Sequence, residues 1–188
     1  QNQFSNLADA YKKNELLEES GIGIYYLSSI PTDRAEPSEG LKATVAWAAG
    51  VKGAEILLSE RQLRRFRAGG TVTTERDTRA ARGAYLAAFE VNLEPGAKER
   101  WVTVMDVERD AADIEALNQF LRESPDSATA VDEDVAFSRE RLLRKVASAD
   151  GIQKTADAAR VARHFSNVLF NIMRGGIFVD GYSMPRDA

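Results

Sequence analysis

The feature that most constrains this chain is a change in hydrophobic period at Asp110. Up to Val107 the apolar residues alternate or cluster in short runs, and from Asp110 onward they recur every three or four residues. A strand sends successive side chains to opposite faces, whereas a helix brings residues i, i+3 and i+4 to one face. Strands therefore fill the first part and helices the last, without alternation. That order predicts an α+β arrangement with segregated elements and excludes a parallel sheet built from βαβ units.

Within the first part, Leu7 to Glu19 mixes Tyr11, Leu16 and Leu17 with charges and reads as a short helix. Ile22 to Ile30 reads as a buried strand, and Pro31 to Gly40, with two prolines and four charges, reads as a loop. Leu41 to Ala48 alternates as a half-buried strand, and Ala54 to Leu58 is another candidate. Ser59 as N-cap and Gln62 as its capping-box partner predict a short helix that Gly69 ends. Thr71 to Thr74 reads as an edge strand. Ala84 to Leu93 and Arg100 to Val107 read as strands joined through Glu94 to Glu99 in an antiparallel hairpin. Five or six short strands linked in this way predict a β-sandwich.

Asp110 then caps a helix through Ile114, Leu117, Phe120 and Leu121 that Pro125 stops. Asp126 to Ala149 forms a longer helix with Gly151 as its C-terminal cap. Thr155 opens a third helix that ends near Met173. Its positions Ala158, Val161, Ala162, Phe165, Val168, Leu169 and Ile172 make one broad apolar face. A face this wide needs a partner of comparable area, yet the chain stops fifteen residues after Met173. The expected organisation is a sandwich domain over residues 1–109, a helical linker over 110–154 and the truncated start of a helical domain over 155–188. An apolar surface left open along Val161, Phe165, Val168 and Ile172 would favour self-association as a homo-oligomer, or completion by the rest of the polypeptide.

Charge and composition remove several function classes. A net charge of −4 and a pI near 5.2 oppose a nucleic-acid partner, and the cluster Arg61, Arg64, Arg65 and Arg67 reads as a solvated helix face. The chain has no cysteine, which excludes disulfides and thiolate metal sites. No apolar run reaches the roughly 18 residues of a membrane span. These features fit a bacterial cytoplasmic or envelope protein, with the cytoplasm as the expected location. The first residue is Gln1, so the start looks processed or trimmed.

The third helix carries a second stripe. His164, Asn167, Asn171 and Arg174 follow one another at steps of three, four and three and share one side. Gly175-Gly176 permits a sharp turn, and Arg174 and Asp180 flank it. A guanidinium and a carboxylate suit adjacent sugar hydroxyls, although the same pair could close the turn by bonding to each other. His164, the only histidine, lacks companion metal ligands and a neighbouring nucleophile. No spacing nominates a catalytic carboxylate pair, and the glycines match no nucleotide-binding fingerprint.

The run His164-Phe165-Ser166-Asn167-Val168-Leu169-Phe170-Asn171-Ile172-Met173-Arg174-Gly175-Gly176-Ile177-Phe178-Val179-Asp180-Gly181-Tyr182 resembles the opening of the catalytic barrel in glycoside phosphorylases of the cellobiose-phosphorylase type. It is also similar to the phosphorylase-like domain of cyclic β-1,2-glucan synthases. In that family a β-sandwich leads through linker helices into an (α/α)6 barrel, the order seen here. The resemblance implies that Arg174 and Asp180 hold the glucosyl unit beside the scissile bond, with Asn171 on the same surface. The filling between Arg174 and Asp180 departs from that of cellobiose phosphorylases. The implied activity is an inverting phosphorylase or related hydrolase acting on an oligosaccharide or other β-glucoside, with inorganic phosphate as co-substrate and no metal or organic cofactor. The family's general acid lies further downstream, so this chain alone is expected to be inactive. Two other readings remain open: a non-catalytic sandwich that binds carbohydrate or protein, and a structural subunit that assembles through its third helix.

Overall fold

A computed structural model describes residues 8–28, 42–124 and 126–176. These form two compact units, residues 1–128 and 129–188. The first is dominated by antiparallel sheet and the second by helices, so the α+β class holds.

The strands are β1 (Lys12–Leu17), β2 (Ile22–Leu27), β3 (Ala43–Ala49), β4 (Glu55–Ser59), β5 (Asp77–Arg79), β6 (Gly83–Ala88) and β7 (Val102–Arg109). A five-stranded sheet runs β5-β1-β2-β3-β7, and β4 pairs with β6 in a second, two-stranded sheet. Every pairing is antiparallel. The core of this unit is Ile22, Val45, Ala46, Trp47, Ala49, Leu57 and Leu58. Buried polar groups tie the two sheets together. Asn14 Nδ2 donates to Thr78 Oγ1 at 2.8 Å and reaches the Leu58 and Ala81 carbonyls at 3.4 Å. Tyr85 donates to the Gly21 carbonyl at 2.8 Å.

Four expectations for this region fail. Leu7 to Glu19 is not a helix: residues 8–10 make one helical turn, and β1 follows. Pairing with β2 on one side and β5 on the other outweighs the local helix propensity of Lys, Glu and Leu. Ser59 and Gln62 do not form a capping box. Ser59 ends β4 and donates to Glu75 Oε2 at 2.9 Å, while Gln62 bridges the Thr73 backbone and Glu75. Helix α1 is Leu63–Arg67, without a side-chain cap, and Gly69 at φ +76° ends it as expected. Thr71 to Thr74 is not a strand, because Thr74 and Glu75 are held to β4 partly through the Glu55 carboxylate. Lastly, β6 and β7 are not a hairpin: β6 pairs with β4 and β7 with β3.

Helix α2 (Ala111–Glu123) starts where the period changes. The Asp110 carboxylate accepts from Ala112 N and Asp113 N at 3.0 Å, and Asp113 reaches back to Asp110 N. This capping box satisfies backbone donors that a helix start leaves orphaned. The Asp113 amide, seconded by Lys42, holds the Asp110 carboxyl below the usual range.

Helix α3 (Ser127–Ser148) and helix α4 (Ala158–Met173) meet at the end of α3. Val146, Ala149 and Val168 are buried there, with Phe165, Leu169 and Ile172 packed against them. The apolar face of α4 is thus covered at its centre by the end of α3, which corrects the expectation of an open surface along Val161, Phe165, Val168 and Ile172: Val168 is buried and the other three are half-buried. The exposed large apolar residues described in this unit are Val135, Phe137, Leu142, Leu143, Ile152, Phe170 and Met173. Helix α4 begins at Ala158 rather than Thr155, because the Asp157 carboxylate supplies its N-cap to Ala159 N and Arg160 N.

The end of α3 also differs in detail from expectation. Asp150, not Gly151, takes the left-handed conformation (φ +54°), and its N–H bonds to the Ala147 carbonyl while that of Gly151 bonds to Val146. These are the two bonds of a Schellman cap. Gly151 is required for space: a Cβ there would meet Val168 Cγ1 at 2.9 Å.

Candidate functional site

Of the residues the sequence singles out, Asn171 and Arg174 lie one turn apart at the C-terminal end of α4, both exposed. Asp180 lies outside the described residues. Gly175 takes φ +81° and donates to the Ile172 carbonyl, and Gly176 donates to the Asn171 carbonyl at 2.8 Å. This is the same two-bond cap that ends α3, and it accounts for both glycines by helix termination. The Arg174 guanidinium sits over the Phe170 ring, 5.2 Å from its centroid, a cation–π placement that leaves its N–H edges to solvent or a ligand. His164 lies back along the stripe. Its Nε2 is 2.7 Å from the Asp150 carbonyl, which can only accept, so this nitrogen carries the proton and the ring fastens α4 to the end of α3. That is a structural role.

Among the described residues no group of three or more His, Asp and Glu side chains could hold a metal ion. No described helix is long and apolar enough to cross a membrane. Arg61 and the basic residues of α1, Arg64, Arg65 and Arg67, are exposed, and two of the four are engaged in hydrogen bonds: Arg61 with the Arg79 carbonyl at 2.9 Å and Arg65 with Thr71.

A second place, which the sequence does not announce, is a cleft of about 480 Å³ in the sheet unit. Tyr25, Leu27, Thr44, Tyr85, Met105 and Val107 line it, with Lys12, Lys42 and Glu108 among the charged groups. Asn14, Tyr25 and Thr44 stand opposite one another across β1, β2 and β3, so their side chains share one face. Gly23 and Gly83 make room for the rings: a Cβ on Gly23 would meet Tyr25 Oη at 2.7 Å and Tyr85 Cδ2 at 2.9 Å. Burial pushes both phenols up, that of Tyr85 to about 12. The Tyr25 hydroxyl is buried without a hydrogen-bond partner among the described residues.

The cleft mouth is shaped by a β-bulge. Ala43 pairs with Arg109 and Val45 with Asp106, so Val107 and Glu108 together oppose the single residue Thr44. Glu108 adopts φ +58°, a left-handed conformation that costs a non-glycine residue free energy. Neither the bulge nor the cross-sheet juxtaposition has a local sequence signature, which is why this site could not be read from spacing.

No protein-family model matches this chain, and no curated protein matches its sequence.

Proposed function

We propose that the chain is part of an inverting glycoside phosphorylase, or a related hydrolase, acting on β-glucosides. In this reading the seven strands belong to a β-sandwich, α2 and α3 are linker helices, and α4 is the first helix of an (α/α)6 barrel. The observation that carries it is the end of α4. Asn171 and Arg174 lie there at a capped terminus, with the guanidinium over the Phe170 ring. A guanidinium offers donors to neighbouring ring hydroxyls, an amide offers one donor group and one acceptor, and Asp180 would supply a carboxylate acceptor. The reaction would pass the glucosyl unit to inorganic phosphate, with protonation of the leaving oxygen by an aspartate outside this chain.

The test is glucose 1-phosphate formation from β-linked glucose disaccharides and inorganic phosphate, by the polypeptide that joins this chain to its downstream barrel. Arg174→Ala should lower kcat/KM by roughly ten- to a hundredfold with little change in Tm. Release of free glucose alone would assign the hydrolase. Unchanged turnover with a lowered Tm would make Arg174 a part of the helix cap and nothing more.

A further inference from the structure

We propose that the cleft of the sheet unit is a binding site for one neutral pyranose unit, separate from the end of α4. Three independent observations converge on it. The first is size: about 480 Å³ falls within the roughly 300–1,000 Å³ typical of small-molecule sites. The second is the bulge in the β3–β7 ladder together with left-handed Glu108. Bulges re-aim side chains, and backbone conformations of this cost are retained where the surroundings or a function demand them. The third is the exposure of Met105 and Val107 at 64% and 63% on the same lip, where apolar side chains gain nothing from water.

The lining selects the ligand class. Half-buried Tyr25 and Leu27 give an apolar and aromatic floor, and Met105 and Val107 an apolar lip, that suit the C–H face of a sugar ring. The charged groups of the lining are Lys12, Lys42 and Glu108, the two lysines being paired already with Asp9 and Asp110, and Thr44 opposes the bulge that carries Glu108. Opposite charges in one lining disfavour a strongly charged ligand, and they provide the donors and the acceptor that ring hydroxyls need. The inference stands on the cleft's own lining, so it does not depend on the role proposed for Arg174.

The experiment is a titration of this chain with cellobiose followed by amide NMR shifts. Saturable shifts are expected at Thr44, Met105 and Glu108. Met105→Arg fills the cleft from an exposed position, and Glu108→Gly removes the carboxylate while easing the left-handed backbone. Each should weaken binding by at least about tenfold, the scale of one lost contact to a charged group. Absence of a saturable response at these amides would overturn the proposal, and so would affinity that both variants leave intact. Shifts produced by octanoate but not by cellobiose would replace the sugar with an apolar ligand. Shifts confined to Asn171 and Arg174 would support the end of α4 as the sugar site and exclude the cleft.

Discussion

The sheet unit and the helical unit use apolar residues in opposite ways. In the sheet unit Ile22, Leu58 and Ala46 are fully buried, Val45 nearly so, and the polar groups Asn14, Ser59 and Thr78 are buried and bonded beside them. In the helical unit Val146 is the sole buried residue of the 22-residue α3, and Val168 the sole one of α4. The exposed length of α3 is supported by local devices, the Arg144–Glu140 ion pair and Arg141 over the Phe137 ring at 5.6 Å. Such pairs contribute only a few tenths of a kcal/mol each, whereas helix stability in proteins comes mainly from packing of an apolar face. Residues 132–145 of α3 are all exposed, between a half-buried start and the buried Val146. The sheet unit carries its own cohesion, and the helical unit has apolar positions to spare for a further partner, which is the condition the proposed barrel would meet.

The largest effect that could break this comparison is a core truncation in each unit. Leu58→Ala should cost about 2–5 kcal/mol, because it removes a fully buried side chain in a packed site. Near-ultraviolet dichroism should report it, since the buried Trp47 belongs to this unit. Val146→Ala should instead release α4 from α3, lowering the signal at 222 nm while leaving the Trp47 band unchanged. Equal loss of both signals in both variants would mean one cooperative unit.

A smaller effect sharpens the comparison through pH. Tyr85 is neutral in the fold with its pKa raised to about 12, first by burial, against about 10 in an unfolded chain. A raised folded pKa gives stability that is complete below the unfolded value and is lost as pH rises through the folded one. The sheet unit should therefore lose stability between pH of about 10 and about 12. Among the described residues the helical unit has no tyrosine, so the same window should leave this contribution out. Tyr85→Phe should reduce the alkaline loss, with Tyr25, which burial also raises, supplying the remainder, at the cost of the bond to Gly21, as a pH series of thermal midpoints would show. Tyr25→Phe should cost almost nothing, because its hydroxyl has no partner among the described residues.

Elements whose signals are local were legible in the sequence: the cap of α2 at Asp110, the stop at Gly69, and the alternating strand, read over 41–48 and found at Ala43–Ala49. What failed was decided across long separations. Lys12–Leu17 is a strand because β2 and β5 flank it, and Gln62 turns from a cap to a brace because Thr73 and Glu75 lie beside it. At the candidate site the stripe Asn171–Arg174 was legible from helical spacing, but the Phe170 ring under Arg174 and the cap made by Gly175 and Gly176 needed coordinates. The cleft was invisible because it is made by register and a bulge rather than by a motif.

The asymmetry between the units is tested most directly by native-state hydrogen exchange, residue by residue, on this chain. Amides of β2, β3 and β4 should exchange only through global opening of the sheet unit. Those of residues 132–140 in α3, which are all exposed, should exchange by local opening and be at least about a hundredfold less protected. Protection of residues 132–140 equal to that of β3 would contradict the account, because it would show that α3 is already held along its whole length.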